Sequence, residues 1–528
     1  MLAFATLPAA AAATDGVVET PVARVVAIGD VHGAHAELVR LLTGIGLIDA
    51  DGAWQGGATH LVSVGDLLDR GADSRRVMDL FIRLQREAAA AGGAVHVVLG
   101  NHELLNLTND LTYVSEGEFA ALGGAAGLRA AFSTTGAYGQ WLLTLPVALR
   151  INDTLFLHGG LSSGFPGVAA ANEAFRRALG RVKLIGEQLV RDEVLPPESN
   201  LLQPEFAVEK LEGRPRLLME AASDWLFNER GPLWYRGNAS CHPVLEQSGL
   251  AASLERAGVR RVVMGHTPTA SREIESRMGG MVHVIDTGML ASVYKGNPRA
   301  LELTARGVRA LTPDGTAEIL NRPGREARLR QLLTDGRLEE DEEDNWWAVL
   351  GTDRVRVDVL RGGRKALRRQ QAAFAMDRLL ELYFVPMTVP RELNGRQVLI
   401  AARARRFSES ARPVPRPNEC EAGSVCDLGA AFDSLIGKRD RGGENLLYNV
   451  RNWEVILIDH ANTFDTRSTL PAYAQVPALT LPVEERLAAL DETALTAALG
   501  DLLDARAIRA VLKRRDRILT WREQQEAQ

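Results

Sequence analysis

The 528-residue chain contains only three cysteines, few lysines and no long apolar run. No stretch approaches the roughly 18 consecutive apolar residues of a membrane span, so we expect no transmembrane anchor. The net charge of -6 lacks the basic excess that nucleic-acid-binding proteins carry, so we expect no nucleic-acid partner. Only six of the 61 basic residues are lysines, a bias that we attribute to genome composition.

The cysteines argue against a zinc–thiolate site, because no pair has the Cys-x-x-Cys spacing. Cys241 is isolated in the sequence. Cys420 and Cys426 lie six residues apart in a segment rich in proline, glycine and glutamate. Two interpretations stay open for this pair: two free thiols or, in an oxidising compartment, a Cys420–Cys426 disulfide.

Residues 1–19 are interpreted as the remnant of a signal peptide or as a disordered tail. An apolar segment and a run of alanines precede Thr14, and the small residues near Ala13 suit cleavage. The positively charged start of a signal peptide is missing. On the apolar segment and the small residues near Ala13 we expect a periplasmic or secreted protein, with a cytoplasmic location as the alternative.

Residues 20–312 alternate short apolar runs with helical stretches, a pattern that predicts an α/β layer fold. Within them, about residues 165–240 are expected to form a cap-like insertion. Residues 313–345 contain turn signals and an acidic run, so we expect a linker there. Residues 346–528 are expected to form a second domain. The predicted strands are 25–28, 61–64, 95–99, 154–157, 262–264 and 282–285.

Five short polar segments follow apolar runs in the first domain. Their sequences are GDVHG (29–33), GDLLDRG (65–71), GNHE (100–103), HGG (158–160) and GHT (265–267), and they hold four of the ten histidines. In α/β folds the loops at the carboxyl ends of strands carry ligands, and glycines allow tight turns there. We therefore expect these side chains to meet in one site.

The residue types in these segments suit two metal ions. Asp30 and His32 are close enough in sequence to reach one ion, and Asp66 is the natural bridging carboxylate. Asn101, His158 and His266 would complete a second ion. Oxygen and imidazole ligands without thiolate suit two divalent ions of Mn, Fe or Zn. Such a pair lowers the pKa of a bridging water, which predicts a hydroxide that attacks phosphorus.

The remaining polar residues of these segments suit the rest of phosphoester hydrolysis. His102 is not needed as a ligand, so it is free to protonate the leaving oxygen as a general acid. Asp69 would hold His102 in the required tautomer. The planar guanidinium of Arg70 is placed to bind phosphate, and Asn101 is a further candidate phosphate ligand.

These motifs resemble the calcineurin-like metallophosphoesterases over about residues 22–300. GDxxDRG with GNHE is similar to the phosphoprotein-phosphatase branch, and segments 104–114 and 231–237 are most similar to the bacterial Shewanella-like phosphatases. The resemblance implies a four-layer αββα sandwich and a phosphorylated protein or small phosphoester as substrate, with the phosphate on Ser/Thr or Tyr. It implies Asp30, His32 and Asp66 as ligands of one metal, Asp66, Asn101, His158 and His266 as ligands of the other, His102 and Asp69 as the acid pair, and Arg70 and Arg236 as phosphate ligands.

Two alternatives of function stay open. One is a dinucleotide polyphosphate hydrolase, since Asp286-Thr287-Gly288 resembles a strand end of those enzymes, although we interpret it as a structural turn. The other is a protein whose second domain does the biological work by binding a nucleotide or a protein partner, with the phosphatase as its regulator.

The second domain weakly resembles atypical secretory-pathway and toxin-type kinases over about residues 350–470. Asp440, Asn445 and Asp459 have the spacing of a kinase carboxylate and its two metal ligands. No glycine-rich phosphate loop precedes residue 370, and Gln370 and Gln371 stand where an acidic residue is expected. An α+β kinase-like domain that is degenerate and binds ligands, an active kinase and an unrelated helical domain all stay open.

Overall fold

The computed structural model describes residues 15–206, 212–403, 408–409, 422–448, 455–471, 479 and 481–526. The chain divides into two compact units. The first comprises Met1–Ala239 and Gly249–Asn321, and the second comprises Ser240–Ser248 and Arg322–Gln528. Within the described ranges, every helix is too short or too polar to span a lipid bilayer.

The first unit mixes strands and helices along its whole length. Its described strands are β1 (Val17–Val18), β2 (Arg24–Ile28), β3 (His60–Ser63), β4 (Ala94–Val97), β5 (Ala148–Ile151), β6 (Thr154–Leu157), β7 (Arg261–Met264), β8 (Glu275–Arg277), β9 (Val282–Val284), β10 (Ala300–Thr304), β11 (Gly307–Thr312), β12 (Gly315–Ala317) and β13 (Leu320–Asn321). The α-helices along this part of the chain are α1 (His35–Gly44), α2 (Ser74–Ala90), α3 (Asn101–Leu107), α4 (Glu116–Leu122), α5 (Gly124–Ala131), α6 (Ala137–Leu142), α7 (Val168–Arg191), α8 (Arg214–Ala222), α9 (Gly237–Ser240), α10 (Pro243–Ala257) and α11 (Ala291–Tyr294). The last residue of α9 and residues 243–248 of α10 fall in the second unit.

These strands form two sheets. One has the order β1-β5-β6-β7-β9-β8-β13, and the other has the order β12-β11-β10-β2-β3-β4. Neighbours β2, β3 and β4 run parallel, as do β6, β7 and β9. The carboxyl ends of parallel strands lie at one edge of a sheet, so the loops that follow them are brought together. A mixed α/β fold, as predicted, is confirmed for this unit.

Alternating burial along the strands shows how the layers stack. Val26 and Leu61 belong to the apolar core that also holds residues of α1 and α2. Their neighbours Val25 and Val62 belong to a different core, together with Phe156 of the other sheet. Successive side chains of a strand point to opposite faces, so the second core lies between the two sheets.

The outer face of the seven-stranded sheet is covered in the same way. Leu155 and Val262 share a core with Leu250 and Leu254 of α10. The first unit therefore stacks helices, a sheet, a sheet and helices. The six apolar runs predicted as strands coincide with β2, β3, β4, β6, β7 and β9.

Residues 165–240, predicted as a cap, contain the 24-residue helix α7, the shorter helix α8 and a 3-10 turn at Trp225–Phe227. Leu189 of α7 and Leu218 of α8 belong to a small apolar core of their own. The buried ammonium of Lys183 donates to the backbone oxygens of Leu107 and Phe132 at 2.8 and 3.1 Å. The cap is therefore fixed to the end of α3.

The second unit combines a larger sheet with a small one. Its described strands are β14 (Arg337–Glu340), β15 (Trp346–Leu350), β16 (Asp353–Leu360), β17 (Thr388–Leu393), β18 (Arg396–Ala402), β19 (Ser408–Glu409), β20 (Leu446–Tyr448) and β21 (Val455–Leu457), and its α-helices are α12 (Arg322–Asp335), α13 (Arg364–Leu379), α14 (Ala422–Ile436), α15 (Leu481–Ala489), α16 (Glu492–Leu499) and α17 (Ala505–Glu526). The antiparallel sheet has the order β14-β15-β16-β18-β17, and α13 lies between β16 and β17 in the chain. The small sheet has the order β19-β20-β21.

The structure describes some of the predicted segments only in part. Residues 313–345, predicted as a linker, contain α12 and β14, and the acidic run ends β14 and forms the turn before β15. Cys241 is buried and takes part in a disulfide. Cys420 of the predicted Cys420–Cys426 bridge and residues 1–14 of the predicted tail lie outside the described residues, whereas Val17–Val18 pairs with β5.

Candidate metal and phosphate site

The predicted site loops follow five strands whose ends converge. Five polar residues in these loops have a left-handed backbone, namely Arg70 (φ 69°) and the four residues His32 (φ 48°), Asp66 (φ 52°), Asp69 (φ 69°) and His266 (φ 62°). Positive φ is unfavourable for residues other than glycine and is concentrated at functional sites. The side chains of the latter four are buried, and that of Arg70 is partly buried.

Two groups of potential ligands share Asp66. The first consists of His32, Asp66 and His102, and the second consists of Asp66, His158 and His266, with the ligand atoms of each group within 4.8 Å of one another. A carboxylate common to both groups is the arrangement expected of a bridging ligand. The structure thus brings the predicted ligands together, and it adds His102, which was predicted as the acid, to the edge of the first group.

His158 lies at the centre of the second group. Its Nδ1 is 2.8 Å from the backbone oxygen of Val64, which fixes Nδ1 as the protonated nitrogen. Its Nε2 is 2.9 Å from Asn101 Oδ1, 3.2 Å from His266 Nδ1 and 3.3 Å from Asp66 Oδ1. Nitrogen and oxygen atoms of four side chains therefore lie around one point.

His32 has the same orientation in the first group. Its Nδ1 is 3.0 Å from the backbone oxygen of Leu68. Its Nε2 is 3.6 Å from Asp66 Oδ2 and 3.8 Å from Asp30 Oδ2. Asp30 is held in place because its Oδ1 accepts from the backbone N–H of His266 at 2.9 Å.

Burial and mutual electrostatic interaction shift the pKa values of the titratable groups in the cluster. Burial and the neighbouring Asp286 raise the pKa of Asp30 well above its usual value. Burial opposes protonation of His158, yet Asp66, Asp30 and Glu103 overcome it and raise the pKa of His158 to about 9. Burial also disfavours the charged form of Asp66, but His158, His102 and His32 hold its pKa well below its usual value.

These observations fit a divalent cation pair. Burial lowers the pKa of His32 to about 3, so this imidazole is neutral and its Nε2 is available as a ligand. At His158 a cation would replace the proton that the surrounding carboxylates otherwise retain. Buried carboxylates and neutral imidazoles around a common point are the donors that Mn, Fe and Zn ions take.

The predicted acid pair is formed beside the first group. His102 Nδ1 is 2.5 Å from Asp69 Oδ2, and both side chains are buried. The other nitrogen of this imidazole, Nε2, is 3.8 Å from Asp66 Oδ2. His102 therefore turns one nitrogen to Asp69 and the other to the site.

The two arginines among the predicted phosphate ligands lie beside different ligand groups, Arg70 beside His32 and Arg236 beside His266. Arg70 Nη1 is 3.0 Å from His32 Nε2, and its guanidinium lies over the rings of Tyr113 and Tyr294 at 5.3 and 5.4 Å. Arg236 Nη1 donates to the backbone oxygen of His266 at 2.5 Å and to Thr267 Oγ1 at 3.2 Å.

Sequence reasoning assigned no role to Glu103, which is fully buried. Its carboxylate accepts from the backbone N–H groups of Gly100, Asp66 and Leu67 at 2.7, 2.9 and 2.7 Å. Glu103 thereby joins the loop of Asp66 to the start of α3. The signal was present in the motif GNHE, where a glutamate three residues after Gly100 has the spacing of a capping box.

Two further contributors lie far from these motifs in sequence. Asp286, which we interpreted as part of a structural turn, is buried and acts electrostatically on Asp30. Tyr294 stacks on His32 with ring centroids 5.5 Å apart. Asp286 had a local signal, because it directly follows the predicted strand 282–285, whereas Tyr294 had none.

The predicted residues of the second unit also come together. Lys438 is fully buried, and its Nζ is 2.9 Å from Asp440 Oδ1 and 3.3 Å from Asp459 Oδ2. Asn445 Nδ2 is 3.5 Å from the same oxygen of Asp459. Gln370 of α13 accepts from the backbone N–H of His460 at 3.0 Å.

Comparison with known proteins gives a family match and several similar proteins. A family model described as calcineurin-like phosphoesterase matches residues 23–270. An uncharacterized protein of Schizosaccharomyces pombe is 31% identical over 290 residues, which cover 53% of this chain and 77% of that protein. Shewanella-like protein phosphatase 1 of Plasmodium berghei is 26% identical over 290 residues, 52% of this chain and 69% of that protein. Among solved structures, a cold-active protein-tyrosine phosphatase of a psychrophilic Shewanella species is 27% identical and covers 58% of this chain and 83% of its own, with a TM-score of 0.45.

Proposed function

The chain belongs to the calcineurin-like phosphoesterase family, and from this premise we propose that it is a phosphomonoesterase with two divalent metal ions that acts on phosphorylated protein. The observation that carries the proposal is the convergence of two ligand groups on Asp66, with the His102–Asp69 pair at their edge. The name of the Plasmodium berghei relative supports a protein substrate.

Each residue of the site has a part in this proposal. Asp30, His32, Asp66, Asn101, His158 and His266 hold the ions. When bound, such ions acidify a water and offset the negative charge of phosphate. The guanidinium of Arg70 binds phosphate oxygens with its planar fork, and Arg236 is placed to do the same.

The proton of the reaction passes through His102. Asp69 accepts the hydrogen bond from Nδ1 and so stabilises the protonated imidazole. Nε2 then gives its proton to the leaving oxygen. His102→Ala should lower kcat for an alkyl phosphate by about 10²–10⁴-fold, whereas His60→Ala, which alters a half-buried imidazole of β3, should not lower it. Equal effects of the two variants would contradict this role.

The rings around Arg70 support phosphotyrosine among the possible substrates. Tyr113 is 45% exposed, and its ring centroid is 5.1 Å from that of His102. A leaving group that receives a proton from His102 passes beside this ring, and aromatic pairs contribute about 0.5–1.5 kcal/mol. Tyr113→Ala should therefore lower kcat/KM for a phosphotyrosine peptide more than for the matching phosphoserine peptide. A uniform loss would favour a substrate without an aromatic preference.

The rival function is hydrolysis of dinucleotide polyphosphates. Asp286 Oδ1 accepts from the N–H of Gly288 at 3.0 Å, which supports our interpretation of this segment as a turn. A direct comparison of kcat/KM for a phosphopeptide and a diadenosine polyphosphate separates the two functions. Faster turnover of the phosphopeptide is expected, and the reverse result would favour the rival.

A second function is proposed for the second unit, namely binding of a nucleotide with Mg²⁺ without rapid phosphoryl transfer. The convergence of Asp440, Asn445 and Asp459 supports it, because kinases bind nucleotide metal ions through residues of this kind. Two features argue against rapid transfer: β16 contains no lysine to bind the phosphates of a nucleotide, and the position where we expected an acidic residue is Gln370, which accepts from the backbone N–H of His460.

Titration calorimetry of the full chain with ATP tests this second function. Binding should require Mg²⁺ and should be lost in Asp459→Asn but kept in Asp335→Asn, which alters an exposed residue of α12. Absence of binding in the wild-type chain would contradict the proposal. Rapid appearance of a phosphorylated acceptor would instead favour an active kinase.

A further inference from the structure

Both oxygens of Asp69 are engaged, and only one of them contacts His102. Oδ2 is 2.5 Å from His102 Nδ1, and Oδ1 accepts from Asn106 Nδ2 at 2.9 Å. Asp69 has no exposed surface, so no solvent competes for either oxygen. The orientation of this carboxylate is therefore set by two partners, of which Asn106 has no role in the chemistry described so far.

Asn106 also contacts the second member of the pair. Its Nδ2 donates to the backbone oxygen of His102 at 3.1 Å, since the two residues lie four apart on α3 and share a face of that helix. One amide group thus joins Asp69 to the helix that carries the imidazole. Asn106 is 3% exposed, so these contacts are shielded from water.

The orientation of the Asn106 amide follows from its surroundings. The opposite orientation would place Oδ1 against a carboxylate and a carbonyl oxygen, both of which are acceptors. In the orientation observed, Oδ1 has no hydrogen-bond partner among the described residues. A buried acceptor without a partner is costly, so the two bonds of Nδ2 are kept at the expense of Oδ1.

We propose that Asn106 is a positioning residue that fixes the Asp69 carboxylate and through it the imidazole of His102. The inference depends on the proposed function, because it concerns the general acid of that reaction. Without Asn106, the carboxylate is free to rotate about its side-chain bonds, and the imidazole loses its fixed direction towards the leaving oxygen. Small losses of alignment lower the rate of positioned reactions strongly.

The loss of rate expected without Asn106 depends on the pKa of the leaving group. A leaving oxygen of high pKa needs a proton in the transition state, whereas p-nitrophenolate leaves without one. A defect in the acid therefore steepens the dependence of rate on leaving-group pKa. A general loss of structure lowers the rate for every substrate alike.

The test compares kcat/KM for p-nitrophenyl, phenyl and alkyl phosphates. In Asn106→Ala and Asn106→Ser the alkyl phosphate should lose about 10–100-fold, part of the usual contribution of a general acid, and p-nitrophenyl phosphate should lose much less. The matched control is Asn172→Ala, another buried asparagine, which bonds the N–H groups of Val147 and Ala148 at 2.8 and 3.0 Å. This control should lower the midpoint of thermal unfolding without changing the leaving-group dependence.

The outcomes separate the inference from the function on which it depends. The same loss for all three substrates in both Asn106 variants, or no loss, would overturn the positioning role. If Asn106→Ala does not fold, the serine variant, which keeps a small polar group, decides. Failure of the wild-type chain to hydrolyse any of the three would overturn the proposed function itself.

Discussion

At the scale of single residues, Glu118 is a buried carboxyl group close to the acid pair of His102 and Asp69. It is fully buried at the start of α4, facing Asp69, Ser74 and Ser115, and within the described part of the chain neither carboxyl oxygen has a partner at hydrogen-bond geometry. Burial and the charge of Asp69 raise the pKa of Glu118 to about 8 from an ordinary 4.5. The folded protein therefore holds a proton there that the unfolded chain releases.

This shift predicts how stability depends on pH. The stabilisation from protonated Glu118 is complete below its ordinary pKa and is lost as pH rises to about 8, because the unfolded chain binds fewer protons in that window. The Glu118→Gln variant has no carboxyl group to titrate there, so it should not lose stability in this way. Relative to the wild-type chain, its free energy of unfolding should therefore increase as pH rises, by at most about 1.4 kcal/mol per pH unit. Urea unfolding at pH 5, 6.5 and 8 measures it. A constant difference across this range would show that Glu118 is already ionised in the folded protein.

Residues of the site differ in how far the sequence predicts them. Asp30, Asp66 and His158 follow apolar strands within short glycine-bearing motifs, so local pattern and strand ends locate them. Asn106 and Glu118 stand in ordinary helical sequence, and their proximity to Asp69 arises only from the packing of α3 and α4. Chemistry that depends on contacts between distant segments has no local signal.

At the scale of elements, Lys183 fixes the cap helix α7. Its ammonium bonds two backbone oxygens and lies 2.9 Å from Glu187 Oε1. Lys183→Met should destabilise the first unit by about 2 kcal/mol or more, because hydrogen bonds to charged groups contribute about 1.5–3 kcal/mol each and Glu187 loses its counter-charge. Thermal unfolding measures this, with Lys295→Met, an exposed lysine, as the control. Equal midpoints for the two variants would contradict the role of Lys183.

The sequence predicted some of the helices and strands and missed others. The six strands that the sequence predicted in the first unit are short, mostly buried apolar runs, so their positions could be read from the sequence, whereas the partly exposed strands β8 and β12 were missed. α12 and β14 were missed, since the mean hydropathy of α12 is low and the acidic residues that follow β14 form an exposed turn. Only two residues of α12, Leu332 and Leu333, are buried, too few for a clear helical period.

At the scale of the whole molecule, the second unit includes a short segment from the middle of the chain. Val244 belongs to the core of that unit and is 1% exposed. His242 Nε2 is 2.6 Å from the backbone oxygen of Leu382. Residues 240–248 are therefore part of the second unit even though the chain on both sides of them belongs to the first. Nothing in the composition of this segment predicted that assignment.

The assignment of residues 240–248 to the second unit predicts which helices a substitution in this segment destabilises. Val244→Ala removes apolar contacts and should cost the second unit about 1.5 kcal/mol or more. Hydrogen exchange followed by mass spectrometry should show faster exchange in α13 and α14 and unchanged exchange in α1 and α2. Val293→Ala, which alters an exposed residue of the first unit, should change neither. Faster exchange in α1 and α2 alone would contradict the division into units.

The central claim, that a shared carboxylate joins two metal ions which the reaction requires, is tested most directly by measuring metal content and turnover on the same samples. Chains stripped with chelator and reloaded with Mn²⁺ are analysed by mass spectrometry of the metal and by hydrolysis of p-nitrophenyl phosphate. Asp66→Asn is compared with Asp314→Asn, which alters an exposed aspartate. The wild-type chain and the control should bind about two ions and recover turnover, whereas Asp66→Asn should bind fewer and show no turnover. Full turnover of the stripped wild-type chain, or wild-type metal content and turnover in Asp66→Asn, would contradict the account.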